Sequence, residues 1–84
     1  MARAAVGRGE IERILAIVDR LGISREAVII PLRPAHPGGV RVLETGRNRG
    51  KLEITVDSEA ALDAWLGELE AQLRALVDRG TLGT

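Results

Sequence analysis

The chain has 84 residues, no cysteine and a formal net charge of zero, with 45% hydrophobic and 29% charged residues. At this length it makes one small domain that buries only about 60% of its unfolded surface, so the core is thin. The absence of cysteine excludes a disulfide scaffold, a thiolate zinc site and a cysteine nucleophile. The balance of apolar and charged residues is that of a soluble globular protein rather than a disordered tail.

Residues 1–8 read as a basic, mobile leader without the apolar run of a secretory signal. A first helix is expected from Gly9 to Leu21, because Ile11, Ile14, Leu15, Val18 and Leu21 form one apolar stripe. Glu10 and Glu12 sit at its start and Arg20 at its end, the sense that complements the helix dipole. Gly22 supplies the stop. The next stretch, residues 24–32, has two readings. The β-branched Val28, Ile29 and Ile30 favour a short strand over 27–32. Alternatively, Leu21 to Val28 opens a second helix, as in a helix-turn-helix. Pro31 and Pro34 would halt that helix before it reached a useful length, so the strand is preferred. The longest strongly apolar run, residues 27–32, is too short to span a membrane.

Residues 33–39 hold prolines, a glycine pair and the lone His36, and read as a loop. Val40–Thr45 and Lys51–Val56 are the clearest strands, the second alternating Leu52, Ile54 and Val56 with Lys51, Glu53 and Thr55. Residues 46–50 join them as a hairpin loop with glycine at both ends. The longest periodic segment runs from Asp57, or Ser58, as cap to Arg79. Leu62, Leu66, Leu69, Leu73 and Leu76 recur at heptad spacing, with Trp65 and Val77 beside them. Gly80 ends the helix and residues 81–84 are a tail.

The expected fold is therefore α+β, in the order α-β-β-β-α. It comprises a three-stranded antiparallel sheet with two helices on one face, a single domain over residues 9–80, and dimerisation to cover what a thin core leaves exposed. Leu62, Trp65, Leu66, Leu69, Leu73 and Leu76 are the expected oligomer interface.

Charge is unevenly distributed. Residues 1–51 carry ten Lys/Arg against five Asp/Glu, a balance of +5, and residues 52–84 carry two against seven, a balance of −5. The two halves neutralise each other, or the basic half presents a face to nucleic acid. Arg41, Arg47, Arg49 and Lys51 cluster on and around the hairpin and are the expected nucleic-acid-binding residues.

Catalytic chemistry has little to work with. Ser24 and Ser58 stand at cap or turn positions, His36 lies alone in its loop, and Asp57, Glu59 and Asp63 fall where helix-start acids serve the dipole. No metal ligand set is present, and neither a cofactor nor a small-molecule substrate is expected. Residues 46–51 are one spacer residue short of a phosphate-binding P-loop and lack its Ser or Thr. The expectation is a non-enzymatic, cytoplasmic, homodimeric binding module that contacts nucleic-acid backbone through the basic hairpin, or alternatively a protein-interaction or assembly module (adaptor, inhibitor or structural subunit) that uses the leucine-rich C-terminal helix.

Residues 40–69 resemble the C-terminal dimerisation domain of ParB-type partition proteins. Gly46, the run Gly50-Lys51-Leu52-Glu53-Ile54, Ser58 and Leu62 carry the likeness. It implies a homodimer built by helix exchange and strand pairing, with a basic sheet face on DNA. The element order is also that of double-stranded-RNA-binding domains, but those open their last helix with lysines where this chain has Asp57-Ser58-Glu59-Ala60.

Overall fold

The computed structural model describes residues 5–80. Helix α1 spans Arg8–Arg20 and α2 spans Leu62–Asp78, with strands β1 (Val28–Ile29), β2 (Gly39–Val42) and β3 (Leu52–Thr55) between them. The chain is thus a small α+β domain with two helices and three strands. The expected tail and the first half of the expected leader lie outside the described residues. Val6, in the second half, is 7% exposed and joins the core, and its N–H donates to the Leu32 carbonyl.

α1 forms where its apolar stripe places it. Ile14, Ile17 and Val18 are buried, Arg20 stands in the last turn, and Glu10 reaches back to accept from the Gly7 N–H. Gly22 follows with φ of +77°, the left-handed conformation that ends helices and that glycine adopts without a Cβ penalty. Ser24 then accepts from the Glu26 N–H and caps a single 3-10 turn over Arg25–Ala27. That turn is the whole helical content between α1 and β1, so the helix-turn-helix alternative gives way to a turn followed by a two-residue strand.

The sheet is mixed rather than antiparallel, which corrects the expected topology. β3 is central, pairing in parallel with β1 (Val28↔Leu52) and antiparallel with β2 (Arg41↔Glu53). The reason is the path the chain takes after β1. It does not turn back on itself there. It continues beside β3, with the Ala35 N–H donating to the Val56 carbonyl and the Ser58 N–H donating to the Ala35 carbonyl. It then crosses the end of β3 at Gly38 and returns on the far side as β2. The crossing is close: a Cβ on Gly38 would lie 2.4 Å from the Asp57 nitrogen and 2.6 Å from the Thr55 oxygen.

α2 begins at Leu62 with Ala61 in the cap position, three or four residues later than the expected cap at Ser58 or Asp57. Asp57 and Ser58 extend the sheet, as Ala35 bridges Asp57 in parallel. A residue held in a ladder cannot begin a helical turn. Ala61 is the residue before the helix and offers no side-chain cap.

The core is aliphatic apart from Trp65. Ile14 and Val18 of α1 meet Leu52, Ile54 and Val56 of the sheet and Trp65, Leu66, Leu69 and Leu73 of α2. Leu62 and Leu76 pack against it as partly buried neighbours. β3 alternates as expected, with Leu52 and Ile54 inward and Glu53 and Thr55 half-buried on the other side. Both helices therefore serve one face of the sheet and leave the other open.

Candidate nucleic-acid interface

The antiparallel ladder of β2 and β3 continues beyond Val42 and Leu52. The Leu43 N–H donates to the Lys51 carbonyl, and the Gly50 N–H donates to the Leu43 carbonyl at 2.8 Å. Inside this closure, Arg49 and Lys51 donate their N–H groups to the carbonyls of Gly46 and Asn48. Gly46 and Gly50 have φ of +86° and +89°, so the tip turns at two places where a side chain would be strained. The loop is thus wider than the expected five residues, and its shape is set by backbone bonds.

The four cations expected to bind nucleic acid fall into two groups. Arg41 lies on β2 opposite Glu53, and its Nε donates to Glu53 Oε1 at 2.9 Å on the open face of the sheet. Its charge is largely answered there. Arg47 and Arg49 are exposed and Lys51 is half-buried. Among the described residues no ion pair involves these three. The register places Lys51 on the same side of β3 as Glu53, the face away from the core.

Four other arginines have carboxylate partners. Arg13 of α1 meets Asp63 of α2 at 2.6 Å, and Arg20 meets Glu70, which also pairs with Arg74 within α2. Arg25 grips Asp19, and that pairing holds the Asp19 carboxyl below its usual range and raises the Arg25 guanidinium. Both helix-to-helix bridges join residues fifty positions apart, so α1 and α2 run in the same direction. The basic first half and the acidic second half therefore do meet within one chain. Among the described residues Arg8, Arg33 and Arg79, which stand singly along the chain, and the clustered cations of the hairpin tip take no part in an ion pair.

The expected oligomer interface sits in the core of a single chain. Trp65 is 4% exposed, Leu66 6%, Leu69 1% and Leu73 0%. The motive for self-association is that one chain could not cover both the leucine seam and its Trp65 shoulder. α1 and the sheet cover Trp65 and the centre of the seam, Leu62 and Leu76 are half-buried, and Val77, the other half of the shoulder, stands exposed with Leu32 among the described large hydrophobic residues. The outward side of α2 is instead small and polar, with Gly67, Ala71 and Ala75 lining a shallow groove.

Sequence reasoning gave Asp57 only a capping role at the start of the last helix and missed its link to the crossover. Asp57 is buried at 8% exposure, and its carboxylate accepts from the N–H groups of Gly38, Glu59 and Ala60 at 3.0, 2.8 and 2.9 Å. Those bonds, led by Gly38, hold its carboxyl far below the normal carboxylate range. His36 Nδ1 lies 3.2 Å from Asp57 Oδ1 and 3.6 Å from Glu59 Oε2, and both acids raise the imidazole above its ordinary value. The partners are about twenty residues apart, a separation that no local pattern marks. Its one trace in the sequence is an acid placed directly after an apolar strand. Among the described residues, no group of His, Asp and Glu side chains has the geometry to hold a metal ion. The grooves along the helices are lined by neither His36 nor Asp57.

No family model, no curated protein and no solved structure matches the chain. No helix among the described residues is long and apolar enough to cross a membrane.

Proposed function

We propose that the chain is a small, non-enzymatic binding module that contacts the phosphate backbone of nucleic acid through the β2–β3 hairpin. A cytoplasmic setting fits this reading. The observation that carries it is a clustering of free cations: Arg47, Arg49 and Lys51 lie within five residues on a backbone-ordered tip with no ion-pair partner among the described residues, whereas Arg13, Arg20, Arg25, Arg41 and Arg74 have carboxylate partners and the other unpaired arginines, Arg8, Arg33 and Arg79, stand singly. Guanidinium groups on an ordered loop suit phosphate oxygens, because little entropy is lost on docking and each contact releases condensed counterions. With Trp65 buried, the described residues offer no aromatic platform for stacking bases, so the contact is with backbone and carries no sequence reading. The likeness of residues 40–69 to the ParB dimerisation domain points the same way.

A homodimer through the leucine seam would draw on Leu62, Leu76 and Val77, which one chain leaves partly exposed, because Leu66, Leu69 and Leu73 are buried within it. The binding unit is proposed as the single chain presenting one hairpin. The test is a titration of labelled duplex DNA at low salt, monitored by fluorescence anisotropy. Binding that weakens steeply with added salt supports the reading, and no binding at low salt ends it.

A further inference from the structure

We propose that the crossover at residues 35–38 and the segment entering α2 form a proton-sensitive clasp, in which protonated His36 tightens the start of β2 against the end of β3. The elements meet on one carboxylate. Asp57 Oδ2 takes the Gly38 N–H at the point where the chain crosses β3, and Asp57 Oδ1 takes the N–H groups of Glu59 and Ala60 at the entry to α2. His36 stands on the crossover side with Nδ1 against Asp57 Oδ1, and Glu59 approaches the same nitrogen from the α2 side. Among the described residues, Asp57 and Glu59 are the charged groups acting on the imidazole.

The titrating group is the imidazole. Three backbone donors hold Asp57 ionised, so it stays an acceptor whichever form His36 takes. A protonated ring donates from Nδ1 and attracts both carboxylates. A neutral ring with its proton on Nδ1 still donates to Asp57 but no longer attracts Glu59. The other neutral tautomer sets a lone pair against a carboxylate oxygen, which is repulsive. Because the folded-state value is raised, the contribution is complete below the ordinary histidine value of 6.5 and is lost as the pH rises through the raised one. Gly39, the first residue of β2, pairs with Thr55 directly beyond the crossing, so the clasp sets how firmly that strand is registered. This inference is independent of what the hairpin binds.

An NMR titration of the full chain tests it, tracking the His36 ring together with the Gly38 and Ala60 amides. The expected midpoint for His36 is above 6.5, the Gly38 amide shift has the same midpoint, and Glu59→Gln lowers it. Glu59 is exposed, so that variant keeps the fold intact. A wild-type midpoint at or below the ordinary value overturns the proposal. So does a midpoint that Glu59→Gln leaves in place, or a Gly38 amide indifferent to the His36 titration.

Discussion

Gly38 and Gly67 show how differently one residue type acts in this chain. At Gly38 a methyl group would collide with the backbone of Asp57 and Thr55, atoms that cannot swing aside. Gly38→Ala is expected to destabilise the domain by more than about 3 kcal/mol, the upper range of overpacking, read as a fall in the urea midpoint. At Gly67 a Cβ would meet nothing within 4 Å, and the residue lies inside α2 with ordinary helical geometry. Gly67→Ala is expected to stabilise by about 1 kcal/mol, the helix-interior difference between the two residues, seen as a rise of several degrees in Tm. Asp57 gives a third expectation at this scale. Its carboxyl is held down in the folded state, so its contribution is fully present above the unfolded value near 3.8 and is lost as the pH falls below it. Urea midpoints measured from pH 5 down to pH 2.5, below the range in which His36 titrates, are expected to fall in the wild type and to show a smaller acid dependence in Asp57→Asn, which starts less stable.

The long C-terminal helix is the element on which expectation and structure diverge most usefully. Its leucine spacing is that of a coiled-coil seam, yet Leu69 and Leu73 face the sheet and α1 of the same chain. Leu73→Ala is therefore expected to cost about 2–5 kcal/mol, as for other fully buried leucines. Leu69→Asp is expected to abolish the cooperative transition of the chain itself, measured by far-UV circular dichroism, rather than merely to separate subunits. The helices, the alternation of β3 and the position of the hairpin were legible because periodicity and glycine placement are local signals. So was the burial of Leu52, Ile54 and Val56 on one side. The α1–α2 bridges had a visible trace too, since Arg13 and Arg20 are spaced like Asp63 and Glu70. The parallel pairing of β1 with β3, the late start of α2 and the role of Asp57 were not legible. Each depends on the chain crossing β3 at Gly38, a tertiary event whose participants are about twenty residues apart.

At the scale of the whole molecule, charge is sorted rather than balanced. Arg13 and Arg20 join the helical layer through Asp63 and Glu70, exposed pairs worth at most about 1 kcal/mol each. With those cations paired, the hairpin tip is the place among the described residues where three cations without an ion pair lie close together in the chain. The salt dependence of duplex DNA binding by wild type and by the Arg47→Ala/Arg49→Ala variant measures that directly. With Arg47, Arg49 and Lys51 each neutralising one phosphate, log Kobs is expected to fall with log salt at a slope of about −2.7, and the double variant to lose about 2 from that slope while its thermal stability is unchanged. Equal slopes for the two proteins would contradict the hairpin as the site of contact.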